Sequence, residues 1–311
     1  MTGYDPTFLV PAPDRTPGGA PGSPVAVPLP EPRDGRPLRR LDHPRFTVLL
    51  DPARRLAAAT AVGIDGSALQ ALPRTGSWRL DPGAPPEEQA GPDLYHRNDL
   101  DRGHLVRRRD PMWGTVEEAR EAGEATFVYT NAAPQVGRFN QSKELWNGLE
   151  DHVLTYAEAH QRRAVVLTGT VLADDDPVYR GVGIPRRFWK VAAWATSRWQ
   201  MPDDGASSGI TQVLTLASAA FVLDQSPLLD DDTLAHATAQ ALAADQAPPL
   251  GPFRTFQVPV ADVAALTGLD LGPLPAADVL GAAVAPSAVL PPPPAVPAAW
   301  TVLEGPGDVR V

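Results

Sequence analysis

What most constrains the fold of this 311-residue chain is where its 36 prolines and 26 glycines fall. From Pro11 to Pro37 the sequence is mostly Pro, Gly and small or charged residues. Such a stretch has too few large apolar groups to offset the entropy of ordering it, and reads as an extended arm over residues 1–40. The stretch 276–311 is Ala/Pro-rich in the same way, with Pro291 to Pro294 favouring polyproline II and Trp300 as its only large anchor. No internal repeat is visible between these ends, so one folded domain is expected over residues 41–275.

Within those limits the apolar spacing predicts strands at Phe46–Leu50 and Ala57–Ile64, joined by the turn Asp51-Pro52-Ala53-Arg54-Arg55. Further strands are expected at 126–130, 164–172 and 188–196, and at 210–223 with one break. Helical spacing is clearest from Ser142 to His160, where Leu145, Leu149, Val153 and Tyr156 share a stripe and Ser142 can cap the first turn. Shorter helices are expected at 233–244 and 262–266. The fold class is therefore α+β, a mixed and mainly antiparallel sheet with helices.

Composition removes several chemistries. With no cysteine there are no disulfides, thiolate zinc sites, iron–sulfur clusters or cysteine nucleophiles. A net charge of −10 is the wrong sign for coating nucleic acid by bulk electrostatics. No run of about 18 apolar residues is present, and MTGYDPTFLVPAPD is not a secretory leader. A cytoplasmic protein without membrane contact is expected; export would need a route other than an ordinary signal peptide.

Against this acidic background, His96 to Asp110 (HRNDLDRGHLVRRRD) concentrates Arg97, Arg102, Arg107, Arg108 and Arg109. A charge run by itself is a solvated face as often as a site. The tetrad Asp101-Arg102-Gly103-His104 adds an imidazole able to accept a proton near neutrality, and a glycine that permits close backbone approach. Downstream follow Thr130-Asn131-Ala132-Ala133-Pro134-Gln135, then Arg138-Phe139-Asn140-Gln141, then Trp146-Asn147-Gly148-Leu149-Glu150.

A DRGH, a TN-x-x-PQ turn, an FNQ and a W-x-x-LE in this order resemble the DNA/RNA non-specific endonucleases, the ββα-metal nucleases that include endonuclease G. The resemblance reaches outward to the hairpin ending at Gly66, to Phe188-Trp189-Lys190-Val191 and to Phe256-Gln257-Val258-Pro259-Val260, spanning most of residues 42–270. It implies a ββα-metal core and magnesium-dependent hydrolysis of DNA and RNA phosphodiesters, with Mn²⁺ as a substitute ion. His104 matches the general base and Asn140 the metal ligand. Glu150 matches the carboxylate that orients metal-bound water. Arg102 would contact phosphate, and Asp101 would position the loop or the imidazole. Arg79, in Trp78-Arg79-Leu80-Asp81, resembles an upstream phosphate-directed arginine; Asn131 and Arg138 complete the substrate-side candidates. Trp146 reads as a core anchor. Partners are nucleic acids held through phosphate, and a homodimer is compatible with the family.

Two departures stand out. Better-known members place the tryptophan four residues after the asparagine, whereas Asn140 and Trp146 are six apart. In a regular helix Asn140 and Glu150 would lie roughly 80° apart, while Asn147 and Glu150 would share a face, so Asn147 is a rival ligand. Leu154 stands where several members carry another phosphate-directed arginine; Arg138, Arg186, Arg187 and Lys190 are candidates to replace it. Rival readings are a catalytically silent nucleic-acid-binding or interaction module with the nuclease fold, and a small-nucleotide phosphodiesterase. The G-x-S-x-G at 205–209 lacks the strand-then-helix context of a nucleophile elbow. The aspartate runs at 174–176 and 230–232 lack calcium-loop spacing.

Overall fold

The structure, a computed structural model, describes residues 3–10, 25–98, 100–136, 162–200, 211–229, 254–281, 297, 299–303 and 308–310. Its strands are β1 (Arg39–His43), β2 (Phe46–Asp51), β3 (Leu56–Asp65), β4 (Leu100–His104), β5 (Ala132–Val136), β6 (Arg163–Val171), β7 (Arg187–Gln200), β8 (Thr211–Asp224), β9 (Arg254–Val258) and β10 (Thr301–Val302). The longer helices among the described residues are α1 (Val116–Ala125) and α2 (Val260–Thr267).

Eight strands form one sheet in the order β10-β9-β8-β7-β6-β3-β2-β1, and every pairing is antiparallel. Side chains alternate between two cores. One face carries Phe46, Val166, Phe188 and Phe221. The other carries Val165, Trp189, Val191 and Val222. A bulge between Leu49 and Leu50 lets Ala57 and Ala59 serve opposite faces although they are two residues apart. The hairpin turn is as expected: the Asp51 carboxylate accepts from the Ala53 and Arg54 amides at 3.0 and 3.1 Å.

The second face is closed by α2 and by chain that sequence reading assigned to the arm and the tail. Tyr4, Phe8, Leu9, Val10, Val25 and Val27 are all buried there, and the Tyr4 hydroxyl donates to the Val27 carbonyl (2.8 Å). Trp300 is buried and donates to Asp262 Oδ2 (2.8 Å), beside β10, which pairs with β9. The extended-arm reading is corrected in these described parts. The few large apolar residues are bunched at 4–10 and 25–27, and a bunch can bury itself where an even scatter cannot.

Two strand expectations change as well. Residues 211–224 form an unbroken strand. Residues 126–130 form none: Thr126 ends α1, Val128 makes a lone bridge to Arg79, and Tyr129–Asn131 is a 3-10 turn. Their β-branched and aromatic side chains are buried as plugs, the same environment a central strand would offer. The expected helices at 142–160 and 233–244, the 205–209 motif and the 230–232 run lie outside the described residues. Among the described residues no helix is long and apolar enough to cross a membrane.

Candidate active site

The DRGH tetrad lies on β4, which pairs antiparallel with β5 as a separate ribbon over the first face of the sheet. Buried Gln225 fastens the ribbon there. Its Oε1 accepts from the Val136 amide (3.2 Å), and its Nε2 donates to the Pro185 carbonyl (2.6 Å). Gly103 is required by close approach, because a Cβ there would fall 2.1 Å from the buried Gln135 carboxamide. Alternation along β4 sets His104 and Arg102 on one side of the ribbon and Asp101 on the other. Of the two roles the sequence offers Asp101, positioning the loop or the imidazole, this placement on the opposite side favours the loop.

Asn131 holds the end of β4. Its Oδ1 accepts from the Val106 amide (2.9 Å), and its Nδ2 donates to the Val106 and Thr126 carbonyls, both at 3.0 Å. The Leu105 amide donates to the Asn131 carbonyl (3.0 Å). With 0% exposure and every polar group engaged, Asn131 anchors the residues after His104. Thr130 beside it donates to Asp81 Oδ2 (2.6 Å), a carboxylate that also lies 3.0 Å from His43 Nε2. Gln89 clamps the Asp81 backbone from both sides, at 2.8 Å each.

His104 sits on aromatic rings, with centroids 4.5 Å from Trp78 and 4.9 Å from Phe127, the latter edge-on. Among the described residues its Nε2 is buried without a hydrogen-bond partner. Burial, reinforced by the Arg74, Arg107 and Arg108 cations, pushes the imidazole down to about 3. The ring is therefore neutral at ordinary pH, and its free nitrogen is a proton acceptor. Arg102 is exposed and stands over the same cluster, its guanidinium carbon 5.8 Å from the Trp78 ring and 6.0 Å from Tyr95.

Arg79 is not gathered to this group in the same way: its guanidinium donates to the Glu124 carbonyl near the end of α1 (3.2 Å). Sequence reading missed Arg74, which stands over Phe127 at 5.5 Å and leads the charges acting on His104. The loop that carries it approaches closely at Gly76 (φ +109°), where a Cβ would fall 2.5 Å from Phe127. Of the residues offered to replace the arginine absent at Leu154, Arg187 pairs with Asp224 (3.3 Å) and Arg186 lies 3.7 Å from Asp176. Lys190 is buried and donates to Thr168 (2.9 Å). Arg138, Asn140, Trp146, Asn147, Glu150 and Leu154 lie outside the described residues. Among the described residues no group of three His, Asp or Glu side chains could hold a metal ion.

The antiparallel α+β fold has a counterpart among solved structures. The chain has a TM-score of 0.50 to EndoG in a crystal structure of the EndoG/EndoGI complex, at 18% identity over 77% of this chain and 91% of that one. The family model for DNA/RNA non-specific endonuclease matches residues 32–278, and the chain belongs to that family. A relative in Sinorhizobium fredii (strain NBRC 101917 / NGR234), the uncharacterized protein y4fB, is 40% identical over 191 residues, 55% of this chain. The match spans 29% of that relative's length.

Proposed function

We propose that this chain is a metal-dependent endonuclease that hydrolyses phosphodiester bonds of DNA and RNA, with magnesium as the working ion and manganese as a substitute. The observation that carries the reading is His104 Nε2: buried, without a partner among the described residues and on a neutral ring, with arginines around it. In that setting the imidazole takes a proton from the attacking water onto Nε2, a step worth about 10²- to 10⁴-fold. Arg102, with Arg74 beside the same ring cluster, holds the phosphate and offsets its charge. A bound phosphate anion also counteracts the cations that depress His104, so the base strengthens when substrate arrives. Gln225 and Asn131 keep the ribbon in register under these groups. Contacts to phosphate position a strand without reading bases, which suits action on both DNA and RNA.

The donor set fits a hydrated hard cation. By the family resemblance, Asn140 would hold the ion through its side-chain oxygen and Glu150 would order the surrounding water. When bound, such an ion neutralises charge on the phosphoryl oxygens and activates water. Plasmid nicking and RNA degradation by the purified chain with Mg²⁺, beside His104→Ala, test the reading. We expect the substitution to remove at least about 10²-fold of the rate. Intact activity in His104→Ala would refute the assignment of the base. Inert wild-type protein in Mg²⁺ and in Mn²⁺ alike would favour the silent binding module.

A further inference from the structure

A second cationic site lies beside the first. Residues Leu72, Pro73 and Thr75, with Arg108, Met112 and the α1 residue Arg120, line a cleft of about 180 Å³, well above the ~10–15 Å³ that admits one water. Arg108 is held rigidly: it donates to the Leu72 and Pro73 carbonyls, both at 3.0 Å. Those bonds use two of its five N–H groups. Arg120 is exposed on α1. No carboxylate lines the cleft. Among the described residues no carboxylate lies within ion-pairing distance of Arg74, Arg108, Arg109 or Arg120. Burial lowers the Arg108 pKa, and Arg74 and Arg109 push in the same direction. Arg74 and Arg109 bring further positive charge to bear on Arg108, a crowding that a bound anion relieves. The wall segment 72–75 contains Arg74, which stands over the Phe127 ring that His104 also touches, so cleft and imidazole share one wall.

We propose that this cleft is a second phosphate subsite, taking a phosphodiester of the bound strand beyond the one being cut, with Arg108 and Arg120 on the phosphate and Leu72, Pro73 and Met112 against the sugar. The assignment rests on the endonuclease reading for its ligand, and its test is separable from that reading. Arg120→Ala keeps a good helix former at an exposed position. Its binding to a long labelled single-stranded oligonucleotide is measured in EDTA over a range of salt. Its turnover is measured on that oligonucleotide and on bis(p-nitrophenyl) phosphate, which has one phosphodiester and nothing to reach the cleft.

The expected result is a salt slope shallower by about 0.7 and a kcat/KM on the oligonucleotide about 10-fold lower. Turnover of the small ester should be unchanged, and Arg120→Lys should recover the slope. Unchanged slope and rates in both Arg120→Ala and Arg120→Glu would overturn the subsite. An equal loss on both substrates would also overturn it, by placing Arg120 at the scissile phosphate. If the wild-type chain cleaves neither substrate, the hydrolytic reading fails while the salt slope still decides the cleft.

Discussion

His104→Gln replaces a half-buried titrating ring by a polar side chain that does not titrate, and the structure fixes how stability must respond to pH. In the native state the imidazole is held down to about 3 by burial and by three arginines, whereas in the unfolded chain it returns to about 6.5. Between these values the unfolded state binds a proton that the native state refuses. Stability is therefore full above the unfolded value and is lost as pH falls toward the native one, the order expected for a depressed histidine. Integrated from pH 7 to pH 5, the difference is about 2 kcal/mol; over the whole window it approaches about 5 kcal/mol. Urea unfolding of wild type and His104→Gln at pH 7 and pH 5, in EDTA, isolates the term, because every other titrating group is common to both proteins. The wild type should lose about 2 kcal/mol more than the variant on acidification. A difference below about 0.5 kcal/mol would mean that the ring is protonated or solvated in the native state, and the description of a neutral buried base would be abandoned.

Asn131→Ala strands the Val106 amide and the Val106 and Thr126 carbonyls; calorimetry should show a loss of about 3 kcal/mol, or about 6–12 °C in Tm. Gly103→Ala drives a methyl into Gln135 and should destabilise by about 1–3 kcal/mol, a loss that the added Gln135→Ala substitution reduces in the same melting assay. On a minimal phosphodiester substrate, Arg74→Ala should raise KM more than Arg79→Ala does, since Arg74 shares the Phe127 ring with His104 while Arg79 is bonded to the Glu124 carbonyl.

The parts of this molecule most legible in sequence are those whose meaning is local. Strands β2, β3, β6 and β7 follow from runs of alternating and β-branched residues bounded by turn chemistry. The tetrad on β4 is readable because its four residues carry an unusual chemistry in order. Helix α1 also had a local signal, the capping box of Thr115 with Glu118, but its short apolar stripe gave no periodicity to match. Residues 126–130 misled because burial rewards the same side chains in a turn as in a strand. Arg74 could not be singled out in advance, since its place beside His104 depends on a loop conformation that only Gly76 hints at. Asn131 is a polar residue in a motif, and only its three engaged groups distinguish an anchor from a ligand contact.

The packing of both chain ends on the back of the sheet has a practical consequence for anyone excising a minimal nuclease. The homology boundary at residues 32–278 is a border of recognisable pattern, and it cuts through a hydrophobic layer. Trimming there discards Tyr4, Phe8, Leu9, Val10, Val25 and Val27 from one end, and Trp300 from the other. Each large apolar side chain so removed forfeits about 1.5–3 kcal/mol of burial, against a net stability of only ~5–15 kcal/mol for ordinary proteins. A fragment cut to the recognisable part should aggregate through its bared sheet face, although the β4–β5 ribbon on the far side keeps its full sequence.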